Sequence, residues 1–425
     1  MTPVGRDVAV LFAARGLRLA AYGALSVVLV FYLTGLGLTE PQVGLLLTLT
    51  LLGDTAVSLA VTTHADRLGR RRMLTLSAGL MAGAGVVFIS TDAFWLLVLA
   101  ATIGVISPSG QEVGPFLPVE QAALTRAVPA DARTRVFAWY TLAGALATSV
   151  GALGGGLVPA ALQRAGATPL DSYRWVIAGY AAIGLVLAAS FQGLSREADA
   201  GPAAAAATGP GAGGGLWGLH ESRGTVTRLA ALFALDAFGG GFVAQSFAAY
   251  WFHLRFGVDP ATLGPIFFWA NLLAGLSALL AARLAARFGL VRTMVWTHLP
   301  SNVLLILVPL MPTLPLAVAL LWARFSISQM DVPTRQSYVM AVVRPHERSA
   351  AGGVTGVART LGAAVSPVIV GQLFARPALI GLPFVIAGTL KIAYDLLLYR
   401  AFVGVQAPEE RVPGVGPGNG TGVRG

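Results

Sequence analysis

The stretch Ala65-Asp66-Arg67-Leu68-Gly69-Arg70-Arg71-Arg72 packs an acid, four arginines and a glycine between two long apolar runs, 42–63 and 73–91. A fainter copy follows 220 residues later as Ala286-Arg287-Phe288-Gly289-Leu290-Val291-Arg292. The same offset pairs Gly37 with Gly257, Gly44 with Gly264, Arg67 with Arg287, Gly69 with Gly289 and Arg72 with Arg292. Further on, an offset of 215 pairs Pro118 with Pro333, Gln121 with Gln336 and Gly151 with Ser366. Ordered pairs of this kind read as two parallel copies of one unit, related by a pseudo-twofold axis along the membrane normal.

Working outward from the charged stretch, apolar runs recur at 8–36, 42–63, 73–91, 94–124, 136–161, 174–194, 227–252, 261–282, 293–311, 314–343, 350–373 and 383–403. The 425 residues are 56% hydrophobic and 11% charged, against about 25% charged in soluble domains. A membrane span needs about 20 apolar residues, so twelve fit. Helices are expected, because hydrocarbon offers backbone groups no water and the runs are too continuous for barrel strands. Arg15 and Arg18 interrupt the first run, which also lacks a cleavage site, so it does not read as a signal peptide. With no cysteine, disulfides, thiolate metal sites and cysteine nucleophiles are excluded.

The net charge of +10 is placed for a membrane, not for nucleic acid. The 29 basic residues include a single lysine, Lys391. If the N-terminus is cytoplasmic, nineteen of them fall on that side, four opposite and six inside spans. By the positive-inside rule both termini are cytoplasmic, and the expected location is the plasma membrane. Ser195–Gly224 is Ala-, Gly- and Pro-rich and reads as a flexible linker between six spans and six. It contains Gly209-x-Gly211-x-x-Gly214, but no βαβ unit surrounds that motif, so nucleotide binding is not expected.

The Asp66–Arg71 loop, the six-plus-six layout and the central linker together resemble the major facilitator superfamily, over essentially the whole chain. That family carries G-x-x-x-D-R-x-G-R-R between spans two and three; here Thr62 replaces the leading Gly, and the second copy has Ala286 in place of Asp. The resemblance implies an all-α integral membrane protein of twelve transmembrane helices in two pseudo-symmetric six-helix bundles. The expected division is 1–194, linker 195–226, 227–404 and a disordered tail 405–425. It also implies a secondary transporter, not an enzyme, working by alternating access without cofactor or metal. Expected partners are a small-molecule substrate, protons and the lipid bilayer; a monomer is expected. Asp66, Arg67, Gly69, Arg70 and Arg71 are assigned to a cytoplasmic latch. Gly151-Ala-Leu-Gly-Gly155-Gly156 resembles a worn antiporter motif, and on it rests the expectation of proton-coupled export of a hydrophobic or amphipathic compound. The alternatives are uptake of a small organic anion or a non-transporting receptor.

Charges inside spans are costly and so mark function or deliberate pairing. Six are acidic (Asp54, Glu112, Glu120, Asp236, Asp331, Asp395) and six basic (Arg15, Arg18, Arg324, Arg335, Arg359, Lys391). Asp54 and Asp236 lie in apolar surroundings that favour a neutral carboxyl, and are the candidate proton carriers. Arg18 lies at the depth of Asp54, so a fixed ion pair there is an equal reading. Arg18, Gln111, Glu112, Arg324, Asp331 and Arg359 are the candidate substrate-cavity residues. Arg15 is expected to snorkel toward the surface, and Lys391 to pair with Asp395 one turn on.

Span four, Ser107-Pro-Ser-Gly-Gln-Glu112-Val-Gly-Pro115-Phe-Leu-Pro118-Val-Glu120, cannot be a regular helix; span ten mirrors it with Asp331-Val-Pro333-Thr-Arg335. Interrupted spans at corresponding places in both halves point to the translocation site. Glu120 and Arg335 are equivalent under the 215 offset and have opposite charge. They read either as a gate pair at the cytoplasmic mouth, or as an Arg335–Asp331 pair beside a Glu120 that faces water. His64, His253 and His346 lie at span ends and do not cluster, and no histidine is read at mid-depth, so neither a metal site nor a general base for serine chemistry is expected.

Overall fold

The computed structural model describes residues 3–112, 114–129, 132–195, 219, 221–344 and 347–403, with backbone only at 3–4, 63, 65–67, 126, 134, 282 and 349. Among the described residues there are fifteen α-helices and no strand. In chain order they are α1 Pro3–Gly35, α2 Glu40–Leu68, α3 Arg70–Ser90, α4 Phe94–Ile103, α5 Phe116–Ala127, α6 Arg133–Arg164, α7 Pro169–Phe191, α8 Arg223–Gly241, α9 Gln245–Phe256, α10 Pro260–Phe288, α11 Leu290–Leu307, α12 Leu314–Ser328, α13 Asp331–Val342, α14 Arg348–Phe374 and α15 Leu382–Phe402.

Among the described residues, ten segments are long and apolar enough to cross a membrane. Twelve runs were expected; the two missing are four and ten, each divided into a pair of shorter helices, α4/α5 and α12/α13. Two differences follow from glycine and capping. The seventh run is not continuous: Gly239-Gly240-Gly241 ends α8, and α9 starts only at Gln245. Three successive glycines weaken the helix there. Helix α8 also starts at Arg223, inside the stretch read as linker. The linker core and the tail lie outside the described residues.

The repeat is visible in the turns. Gly37 and Gly257 have φ of 89° and 68°, and Gly69 and Gly289 have 96° and 86°. Each pair is 220 residues apart, and a left-handed backbone is where a side chain would cost about 1–2 kcal/mol. Gly257 caps α9, its N–H donating to His253 O at 2.8 Å. These four turns define two ends of the molecule, a Gly37 end and a Gly69 end. Local chemistry starts the helices between them: Pro260 opens α10 behind Asp259, whose side chain accepts Thr262 N–H at 2.9 Å.

Small residues bring the helices together. A Cβ on Gly151 or Gly155 would strike the Ala20 or Ala24 carbonyl of α1. One on Gly156 would strike Pro260 O of α10, and one on Gly371 would strike Glu40 O of α2. The last two crossings are symmetry mates, Gly156 over Gly264 and Gly371 over Gly44, under the 215 and 220 offsets. In lipid, where apolar burial gives no drive, such close approach supplies the van der Waals contact that holds helices together.

Both crossings join the two halves at the Gly37 end. Nearby, Tyr250 Oη donates to Glu40 at 3.1 Å, Val368 N–H to Thr48 Oγ1 at 3.0 Å, and Phe31 packs against Tyr250 and His253. Deeper in, Gln245 Nε2 donates to Ser26 Oγ at 2.7 Å and Ser246 N–H to Pro108 O at 3.1 Å. The molecule is sealed at the Gly37 end. Trp95 and Trp175 at that end, and Trp139 and Trp296 toward the other, are all more than half exposed, as expected of interfacial anchors.

Candidate functional site

In the N-terminal half the site is organised by the break in span four. Residues 104–115 leave the helix, with Val105 at φ 50°, a value a β-branched residue rarely adopts. The freed carbonyls are satisfied locally: Tyr180 Oη donates to Val105 O at 2.8 Å and Ser107 Oγ to Gln111 O at 2.7 Å. Irregular backbone at this depth survives only when buried and satisfied in this way.

The break lets Glu112 and Glu120 converge on α1. Arg18, fully buried, donates from both terminal nitrogens to Glu120 at 2.6 and 2.8 Å and from Nε to Glu112 at 2.9 Å. Arg15 donates to the other Glu112 oxygen at 3.0 Å, and Tyr140 Oη donates to Glu120. The guanidinium of Arg18 also lies 4.4 Å from the Phe116 ring centre. Arg15 therefore does not snorkel: it is held inward by Glu112. Nor does Arg18 pair with Asp54, since its donors are already used by the two glutamates. Gln111 is exposed at the break.

Asp54 stands apart on α2. It is 5% exposed, accepts the Gly114 N–H, and its Oδ1 has no hydrogen-bond partner. Of the six intramembrane acids, it alone meets no arginine, lysine or histidine among the described residues. Its titratable neighbours are Glu112 on the break, Tyr22 on α1 and Tyr180 on α7. Tyr22 Oη is likewise buried without a partner.

The C-terminal half holds a second network. Asp236 on α8 receives Lys391 Nζ at 2.5 Å and Arg335 at 3.0 Å, with His298 Nε2 at 3.9 Å. Arg335 also reaches Asp331 at 3.1 Å, and Asp395 is held by His298 Nδ1 at 2.8 Å and Asn302 Nδ2 at 2.9 Å. The expected Lys391–Asp395 pair is absent: each looks toward a different helix, where a better-placed partner waits. His298, 4% exposed within α11, is a site residue that the sequence reading, which places no histidine at mid-depth, does not include. Its signal is a lone imidazole inside an apolar run.

Glu120 and Arg335 do not meet in this conformation. Arg335 makes the one-turn pair with Asp331, while Glu120 is fully buried on Arg18 and does not face water. Two bases remain. Arg324 on α12 and Arg359 on α14 are half-buried, each with a buried Nε that has no hydrogen-bond partner. Neither makes an ion pair among the described residues, although both lie within electrostatic reach of Asp236 and Asp331. Gly69 forms the turn between α2 and α3, and Arg70 is buried at the start of α3. The side chains of Asp66 and Arg67 lie outside the described residues. An apolar hollow of about 440 Å³ lies between α1 and α6, lined by Val8, Phe12, Trp139 and Leu146; Phe12 separates it from Tyr140 of the N-terminal network.

Comparison with known proteins fits this architecture. The sequence profile of the Major Facilitator Superfamily matches residues 11–415. The chain is 32% identical over 428 residues to the uncharacterized membrane protein YJR124C of Saccharomyces cerevisiae, covering 95% of each. Among solved structures it is similar to a D-xylose-proton symporter (TM-score 0.72, 15% identity, 92% of this chain and 97% of that one). It is also similar to the D323A mutant of the nucleoside transporter NupG (TM-score 0.72, 14% identity, 93% and 100%). A third is a bacterial homolog of the human lysosomal transporter Spinster, inward-facing and unoccupied (TM-score 0.69, 16% identity, 94% and 96%). At such identities these structures share a fold with the chain.

Proposed function

We propose a coupling scheme from one premise: the chain belongs to the Major Facilitator Superfamily and is a membrane transporter, not an enzyme. The scheme is proton-driven movement of a small solute by alternating access, with Asp54 as the proton site. The observation that carries it is the isolation of Asp54. A buried carboxylate with no cation beside it is expensive, and protonation removes that cost before the carrier rearranges. Asp236, the other candidate, is held by Lys391 and Arg335 and is better suited to structure.

The positive-inside bias supports cytoplasmic termini in the plasma membrane, so the Gly69 end faces the cytoplasm and the sealed Gly37 end faces outward. The Asp66–Arg71 turn is then placed to latch the cytoplasmic side. A monomer suffices, since each half completes its own network. The expectation of export rested on the span-five glycines. Gly151, Gly155 and Gly156 are occupied in packing against α1 and α10, which gives them a role in either direction. The two unpaired arginines favour uptake of a solute that carries negative charge over export of a hydrophobic one.

The test needs no prior substrate. Proteoliposomes take up solutes from a cell extract under an inward pH gradient, and their contents are identified by mass spectrometry. At least one solute should accumulate in the wild type, be lost with a protonophore, and fail to accumulate with Asp54→Asn. Wild-type vesicles that accumulate nothing in response to the gradient would sink the reading.

A further inference from the structure

We infer that the substrate is a carboxylate monoanion, bound between Arg324 and Arg359 and carried electroneutrally with the single proton on Asp54. The inference rests on the proton-coupled reading above and adds the substrate class and the charge balance.

The argument is a count of what remains after pairing. In the N-terminal half, Arg15 and Arg18 are matched by Glu112 and Glu120, leaving Asp54 as one uncompensated negative charge. In the C-terminal half, Arg335 and Lys391 are matched by Asp236 and Asp331. There remain Asp395, which His298 and Asn302 hold, with Arg324 and Arg359, so the carboxylates, guanidinium groups and ammonium group of this half sum to one positive charge. The two halves are thus oppositely imbalanced by one charge each. A proton neutralises the first and a monoanion the second.

The unpaired donors have a direction as well as a charge. Arg324 and Ser328 are one turn apart on α12, so they share a face, and both Arg324 Nε and Ser328 Oγ are buried without partners. Arg359 Nε on α14 is in the same condition. Planar guanidinium forks match a carboxylate in paired hydrogen bonds, and a hydroxyl adds one more. Asp236 and Asp331 lie within electrostatic reach of both arginines and would oppose a second negative charge. Around Asp54, the charged or titratable groups on every packed element are Glu112, Tyr22 and Tyr180, so no cation there competes for the proton's role.

The experiment uses the full chain in detergent and in vesicles. Lactate, benzoate and glucuronate are compared with lactamide, benzamide and glucose by thermal shift, and the accumulated solutes of the extract assay are classed by charge. At least one of the three carboxylates should stabilise the protein while its neutral counterpart does not. Arg324→Gln and Arg359→Gln should each weaken that binding about tenfold or more, with Lys at either position restoring part of it. In vesicles, clamping the membrane voltage with potassium and valinomycin should leave the initial rate of uptake unchanged, whereas collapsing the pH gradient should abolish it. If pH-driven solutes appear but are neutral or cationic, or the arginine variants bind and transport normally, the anion site is wrong and the proton reading stands. If uptake follows voltage, the one-to-one balance is wrong. If no solute responds to pH, the underlying proton reading fails first.

Discussion

Glu120 and Arg335 stand at equivalent places in the two halves, carry opposite charges, and each closes a buried ion pair to the first helix of its own half. Glu120 grips Arg18 of α1 at 2.6 Å, and Arg335 grips Asp236 of α8 at 3.0 Å. The repeat has kept the position of the bridge and inverted its sign. Such a bridge ties the broken fourth or tenth span to its bundle, which is what an interrupted helix lacks when its own ladder is cut. Opening either bridge would cost its partner one counter-charge, leaving Arg18 with Glu112 and Asp236 with Lys391.

Removing the cation of the first bridge should therefore unfold before it inactivates. Arg18→Leu strands Glu120 in the bundle and leaves Glu112 with Arg15 alone, and breaking a buried pair costs about 3–5 kcal/mol. A clear fall in thermal midpoint in detergent is expected, with Arg18→Lys intermediate because it offers fewer directed donors. A midpoint equal to wild type would show that the bridge contributes nothing to the fold.

The glycine crossings control the seal at the Gly37 end. Gly156→Val or Gly371→Val should hold α6 from α10, or α14 from α2, and shift the population toward opening at that end. The chain has no cysteine, so a single Ala249→Cys, fully buried on α9, reports the change cleanly. A membrane-impermeant maleimide should leave Ala249→Cys unlabelled in the parent and label it when either valine is added. Equal protection in all three proteins would remove the crossings from the gating argument.

Gln245 links the halves more gently. It donates to Ser26 and accepts from Asn271 at 2.9 Å, so it spans from α1 to α10 across the break in the seventh run. Gln245→Leu removes both bonds and leaves two buried polar partners, a loss of about 1–3 kcal/mol to the sealed state. Labelling of the same reporter should quicken by about tenfold or more. The glycine variants act by bulk and this one by lost hydrogen bonds, so the effects should add if the sites are independent.

Span number, the paired halves and the broken fourth and tenth spans were legible because each depends on local composition: long apolar runs, an ordered offset, clustered proline. Partner choice was not. Lys391 and Asp395 are spaced to pair along one helix, yet one turns to Asp236 and the other to His298 and Asn302. Arg15 looked close enough to the membrane surface to escape the core, yet Glu112 hangs from the break within its reach. Both outcomes depend on helix rotation and on where an irregular segment leads its side chains, and neither leaves a mark in the spacing. The triple glycine at Gly239–Gly241 did leave one, but permissive glycine is also frequent inside intact membrane helices.

Asp54 and Asp236 now make opposite predictions, which separates a proton carrier from a structural acid. Asp236→Asn leaves Lys391 and Arg335 without their shared counter-charge in a site only 4% exposed. Arg335 keeps Asp331, but Lys391 is left uncompensated, which should cost about 3–5 kcal/mol and lower the thermal midpoint at every pH where the protein is otherwise folded. Asp54→Asn breaks no ion pair, and an amide is a neutral stand-in for the protonated acid. Its midpoint at neutral pH should equal or exceed that of wild type, because the cost of a lone buried charge has gone. Its transport should be split: accumulation driven by a pH gradient lost, and exchange of the same solute across vesicles without a gradient retained. Asp54→Asn with normal pH-driven accumulation, or Asp236→Asn with an unchanged midpoint and lost accumulation, would reverse the assignment and place the proton on α8.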